Sequence, residues 1–237
     1  MERDETSKLD NFLNEANLIL KDFKNVETKS NSVNYLIDCL FRTYDILFSI
    51  EKIVKGQKSL RSFEHPIGIL LRSGLSDFIH SQHYSNKCIS NGEFDAEKFE
   101  YEVSEYICGH FKRIDPSLEP LEEYKAQIGI EELILKENKK YKEIKVFNHG
   151  MNTAKEKKLN YLETAVECWE WYSKYEHYGF FTNRMLLKFE DNQLRIHTSI
   201  NLLFVNFYFC LLTLVDIDDE LFDLPKADEI KRLIIEK

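Results

Sequence analysis

The sequence predicts an all-α multi-helix bundle with a central buried apolar helix and an N-terminal helical pair, and three observations carry that expectation. Gly (8) and Pro (4) are scarce in 237 residues, too few for the tight turns of a sandwich or barrel. Charged residues make up 31% and recur every three or four positions, as on solvated helix faces. Hydrophobic residues make up 43%, enough apolar surface to offset the entropy of ordering the chain.

The elements follow from spacing. Leu9, Phe12, Leu13, Ala16, Leu20 and Phe23 form one apolar stripe, so a helix is predicted from about Ser7 to Val26. After a polar break, Leu36, Leu40, Leu47, Ile50 and Val54 mark a second helix from Ser32 to Val54, with Gly56 as its stop. His65-Pro66 opens a third, because proline is tolerated in a first turn; Ile67, Leu71, Leu75 and Phe78 define its buried side up to about Asn86. Asn91-Gly92 reads as a loop, and Asp95 as the N-cap of a fourth helix over Ala96 to Arg113.

Pro116 and Pro120 bracket a turn before a weakly amphipathic, charged helix from Leu121 to Tyr141. Val146 to Thr153, which holds His149-Gly150, reads as loop. Tyr161, Leu162, Ala165, Trp169 and Tyr172 predict a helix over Lys158 to Tyr178, interrupted at Gly179 and resumed over Phe180 to Phe189. Leu194 to Val215 is the apolar helix, and Ala227 to Glu236 a short final one after Pro225. Two regions are expected: residues 1–60, a helical pair packed on the core, and residues 61–237, the bundle itself.

The net charge of −9 disfavours nonspecific binding to a polyanion. Lys136 to Lys158 is locally basic, which fits a solvated helix end and loop. Cys39, Cys88, Cys108, Cys168 and Cys210 are dispersed, never in a close pair, and read as reduced thiols. Met1 to Asp10 is charged, with no signal-peptide core, so a cytoplasmic location is expected. Ile200 to Val215 is short of the roughly 20 residues of a membrane span, includes Asn201, Asn206 and Thr213, and is expected in the protein interior.

Glycine-rich phosphate loops, Gly-x-Ser-x-Gly elbows and His-Glu-x-x-His zinc helices are missing from the chain, and no cofactor is implied. On the third helix Arg72, Ser76, His80 and His83 share a sector of roughly 80°. His80 and His83, at i and i+3, can chelate one metal ion, although spacing supplies no third ligand. Glu170 to Tyr178 concentrates aromatic and titratable groups, with Tyr172 on the core side and Glu170, Ser173 and His177 opposite. A polar pocket is expected in which Arg72 approaches His177, Tyr172, Ser173 and Glu170 supply hydrogen bonds, and Asp77 or a bound anion balances the guanidinium.

With Leu70-Leu71-Arg72-Ser73 on an early helix and Tyr172-Ser173-x-Tyr175-x-His177 on a later one, the chain resembles a group of bacterial all-helical proteins of unknown function, distantly related to HEPN-type domains. The resemblance covers Glu64 to Val215 and implies a helical bundle, self-association, and a place in bacterial defence or toxin-antitoxin regulation. Catalytic HEPN ribonucleases carry a His after an Arg with four to six residues between them. Here the intervals are three for Arg61 and His65, seven for Arg72 and His80, and one for Arg195 and His197. The expected function is therefore a noncatalytic interaction or regulatory module that pairs with itself or a protein partner. A HEPN-like hydrolase acting on RNA or a nucleotide through a noncanonical site is the alternative.

Overall fold

The computed structural model describes residues 3–24, 26, 28, 30–56, 64–90, 92–114, 146–177 and 189–217. Among them the chain forms seven helices and one hairpin. In order these are α1 (Arg3–Phe23), α2 (Asn31–Lys55), α3 (Glu64–Lys87), β1 (Ile89–Ser90), β2 (Glu93–Phe94), α4 (Ala96–Ile114), α5 (Val146–Lys157), α6 (Asn160–His177) and α7 (Phe189–Ile217). The protein is an all-α bundle, as the sparse glycine and proline implied. The helices expected over Leu121 to Tyr141, over residues 180–188 and over Ala227 to Glu236 lie outside the described residues.

Helix ends follow local chemistry. Ser30 caps α2: its backbone is extended, and its Oγ accepts from Val33 N at 3.2 Å. Glu100, reaching across from α4, accepts from the N–H groups of Asn31 and Ser32 at 2.9 Å each and from both serine hydroxyls. First-turn N–H groups have no partner within their own helix, so one carboxylate here satisfies two of them and meets the positive end of the helix dipole. At the other end, Gly56 N–H bonds back to Lys52 O at 3.0 Å. Asp95 Oδ1 accepts from Lys98 N at 3.0 Å, the N-cap read from the sequence. The loop ahead of it is an antiparallel pairing of Ile89 with Phe94 and Ser90 with Glu93, turned by Gly92 at φ +84°.

The stretch Val146 to Thr153 is helical, not the loop its sequence suggested. The glycine that reads as a breaker is what permits the packing. A Cβ on Gly150 would lie 2.3 Å from Val166 Cγ2 on α6 and 2.8 Å from Ile79 Cγ2 on α3. The helix then stops as Lys158 turns left-handed, at φ 57°, and Leu159 N–H closes onto Ala154 O at 2.9 Å.

Helix α3 is the hub, packing against α2, α4, α5, α6 and α7. Its Ile67, Leu71, Leu75, Phe78 and Ile79 are fully buried, with Leu203, Phe207 and Leu211 of α7 buried in the same cluster. Gly74 lets α7 come close, since an added Cβ would stand 2.8 Å from Leu203 Cδ2. The N-terminal pair is part of this core: α2 packs on both α3 and α7, and Phe12 of α1 stacks on Phe204 at 4.3 Å between centroids. Some buried polar groups are paired across helices, as where Ser81 Oγ donates to Asn206 Oδ1 at 2.8 Å and Asn206 Nδ2 to Thr43 Oγ1 at 3.4 Å.

The apolar helix is longer than its apolar run, 29 residues, and by length and composition Asn192–Ile217 is apolar enough to cross a membrane. Its Leu203, Phe207, Cys210, Leu211 and Leu214 face protein, and Asn206 and Ser199 are buried with hydrogen-bond partners. One side stays open, however: Val205 is 50% exposed. Cys39, Cys88, Cys168 and Cys210 are free and buried.

Two substitutions test this packing. Phe207→Ala removes a ring that is 1% exposed and set edge-on to Phe12, and costs about 3–5 kcal/mol in urea unfolding. Gly150→Ala forces α5 away from α3 and α6 and costs about 1–3 kcal/mol, although alanine is the better helix former.

Candidate functional site

Three places on the bundle gather chemistry-bearing side chains. The first lies between α3 and α6, which cross so that Arg72 meets the last turns of α6. Arg72 Nε donates to Ser173 Oγ at 3.1 Å, and the guanidinium sits over the Trp169 ring at 5.3 Å. Two of the residues expected in a shared pocket are therefore brought together, along with Trp169. Ser173 Oγ donates to Trp169 O at 2.9 Å, the usual back-bond of a helical serine.

The rest of the expected pocket does not gather there. Glu170 is exposed. Tyr172 points into the core, 1% exposed, with its hydroxyl 3.2 Å from Ser199 Oγ on α7. Asp77 lies on another side of α3, where Arg42 Nε of α2 is 3.1 Å from its Oδ2 but off the line of a hydrogen bond. Positions 72 and 77 are five residues apart, about 140° around a helix, so one acid cannot serve both faces. Burial pushes the Asp77 carboxyl up to about 6, an effect that Arg42 only partly offsets. His177 ends α6, and the approach of its ring to Arg72 lies outside the described residues. On the α7 side, Arg195 sits 4.0 Å over Trp171, and Lys174 lies 5.5 Å from the same ring.

The second place is a histidine cluster between α3, α4 and α5. His83 Nδ1 and Thr153 Oγ1 share a hydrogen bond of 2.6 Å, and the His83 ring stacks on His149 at 4.3 Å and 25°. His80 is buried and turns instead toward Tyr106, at 5.1 Å, and Tyr84. His80 and His83 share Tyr84 and His149 as ring neighbours, but only His83 stacks on His149; the His80 ring stands edge-on to it at 6.3 Å. No three His, Cys, Asp or Glu side chains among the described residues are placed to hold a metal ion. Burial, then His149 and Lys87, lowers the His83 ring to about 4; burial and Lys87 lower His149 as well. Both rings are neutral at pH 7, which allows them to stack. His149 and Thr153 escaped sequence reasoning because their segment looked like a loop. The His149-Gly150 doublet was the available signal, since a glycine can mark close approach as well as a turn.

The third place is an apolar cleft of about 720 Å³ between α1 and α7. Phe12, Phe204, Val205, Tyr208, Phe209 and Leu212 supply its walls, and Lys8, Asn11, Glu15 and Asn201 its polar rim. Tyr208 OH donates to Glu15 Oε1 at 3.1 Å, fixing one end. Sequence reasoning expected these α7 residues inside the bundle. It missed the cleft because an apolar helix reads the same whether one side or all sides are covered.

Comparison of the chain with family models, with curated proteins and with solved structures finds no match.

The histidine cluster makes stability pH-dependent. The unfolded chain takes up a proton near the ordinary imidazole value of 6.5, whereas folded His83 waits until about 4. Its contribution is complete above about pH 6.5 and is lost as pH falls toward 4. Asp77 acts oppositely: its raised pKa adds stability as pH falls from about 6 toward 3.8. In urea midpoints measured from pH 7 to 4, His83→Gln therefore loses less stability on acidification than wild type, and Asp77→Asn loses more.

Proposed function

We propose that the protein is a noncatalytic helical interaction or regulatory module that works through the cleft between α1 and α7. The observation that carries this reading is the cleft itself, an apolar trough that the described residues leave open on an otherwise strongly charged molecule. Contiguous exposed apolar surface on a soluble domain marks a site of contact, and Val205 at half exposure stands in its wall. The resemblance to HEPN-related helical proteins adds a setting, a bacterial defence or toxin-antitoxin system in the cytoplasm.

The HEPN-like hydrolase reading draws on the Arg72 to Ser173 contact. Two facts weigh against it. The Ser173 proton is engaged by Trp169 O, so an activating base would first have to break that bond. Arg72 is engaged by Ser173 and by the face of Trp169, an arrangement that stiffens the α3/α6 contact.

The two readings separate in an assay panel of single-stranded RNA, duplex RNA and nucleoside triphosphates with Mg²⁺ or Mn²⁺. The module reading expects no turnover above background by wild type, and for Arg72→Ala a stability loss of about 1–2 kcal/mol from the hydrogen bond and the cation–ring contact. Turnover by wild type that Arg72→Ala or Ser173→Ala removes, with the fold intact, refutes it.

A further inference from the structure

We infer that the occupant of the α1/α7 cleft is the chain's own segment Ala227 to Glu236, seated there as an amphipathic helix that a partner must displace. This rests on the reading of the cleft as a contact surface and adds how access to it is governed.

The amino-acid pattern supplies the face. The segment lies outside the described residues, and its apolar positions recur at helical spacing. Ala227, Ile230, Leu233 and Ile234 fall within an arc of about 120°. Asp228, Glu229, Arg232 and Glu236 fall on the other side, and Lys231 and Ile235 flank the arc. A helix of ten residues is marginal in water by itself, so burying that arc against apolar surface is what would hold it.

The cleft lies beside the point where this segment leaves the bundle. Helix α7 forms one wall, from Asn201 to Leu212, and its last residue, Ile217, is five residues beyond Leu212. The eleven residue steps of that wall span about 16 Å, and a helix from Ala227 to Glu236 spans about 15 Å. The link from Ile217 to Ala227 extends up to about 33 Å, ample to reverse direction and cross one helix width of about 10 Å. Pro225 stands in the link and opposes a helix that runs through it. Running antiparallel to α7, the segment has Ala227 at the level of Leu212 and Ile234 at the level of Val205, a helical hairpin laid in the groove beside α1.

The other long stretches outside the described residues are less well placed. Residues 115–145 join α4 to α5, whose main contacts are with α2, α3 and α6. Residues 178–188 are held at both ends, between α6 and the start of α7, twelve residues before Asn201. The short link also selects the chain's own segment over that of a second copy, because it holds the segment near the cleft at an effective concentration in the mM range. A partner helix then meets an open cleft only in the fraction of molecules whose segment has left it, and its apparent affinity is lowered by that fraction.

Paired cysteines on the full chain test the seat. Val205→Cys with Ile234→Cys is oxidised with copper phenanthroline in air, beside each single variant and Leu194→Cys with Ile234→Cys. Leu194 is 68% exposed on the same helix but outside the cleft. The expected result for the Val205 and Ile234 pair is a disulfide within one chain, at a yield independent of protein concentration. The Leu194 pair gives none above the single-variant background. A fluorescent peptide of residues 224–237 tests displacement by anisotropy. It binds the full chain carrying Ile230→Asp with Ile234→Asp at least tenfold tighter than wild type, whose own segment competes, and adding Val205→Asp to that variant removes the binding.

A cysteine pair that links two chains overturns the inference in favour of a second copy. A pair that forms no disulfide above background also overturns it, and leaves the cleft to another protein with the module reading intact. A peptide that binds the double variant no tighter than wild type overturns it as well, because the segment then does not compete for the cleft. The module reading fails separately, through turnover in the assays above, wherever the segment lies.

Discussion

The rest of this bundle depends on α3, which packs against five other helices. A helix on a bundle surface needs one apolar stripe, whereas α3 must satisfy five neighbouring helices. It does so with two kinds of surface. Leu71, Leu75, Phe78 and Ile79 fill the apolar interior, while Ser81, Gln82, Ser85 and His80 are buried toward partners that include Asn206 and the hydroxyl of Tyr161. Space at the crossings is made by glycines: Gly74 where Leu203 of α7 presses in, and Gly150 where α5 presses on Ile79. Removing side chains at these points brings backbones close enough for the large residues on either side to interdigitate at crystal-like density.

Most of the titratable and nucleophilic groups that looked functional are tied into that architecture. Glu100 holds the first turn of α2; desolvation pushes its pKa up, but hydrogen bonds from Ser32, Ser30 and Asn31 outweigh this and leave the carboxyl below its ordinary value. His83 and His149 stack as neutral rings, and Ser173 and Tyr172 fasten α6 to α3 and α7. A buried polar group that lost such a partner would be left unsatisfied, at a cost of about 1–3 kcal/mol. Polar residues in these positions therefore fix the register of neighbouring helices as firmly as the leucines supply cohesion.

The open side of α7 is built differently. Its inner side is held by Leu203, Phe207 and Leu211, and by Asn206 between α2 and α3, so the helix has no need of further cover to stay folded. Phe204, Phe209 and Leu212 on its outer side nevertheless remain apolar. Separation of the two duties between opposite sides of one helix lets the surface change its contacts without disturbing the core, a property suited to a reversible partner.

The rough limits of six of the seven described helices were set by local chemistry that the sequence displays: stripes at 3.6-residue spacing, Asp95 as a cap, Gly56 as a stop, and the proline of His65-Pro66 at a helix start. The burial of Leu203, Phe207 and Leu211 was legible for the same reason. Which neighbour each face meets was not, because periodicity locates a face on its own helix and says nothing of what packs there. So Asp77 pairs with Arg42 rather than Arg72, His83 finds His149 rather than His80, and Gly150 opens a helix contact rather than ending a helix. The cleft beside Val205 had the least signal of all: the stretch Ile200 to Val215 specifies that the helix is apolar, and only the arrangement of α1, α2, α3 and α6 around it decides which side is left uncovered.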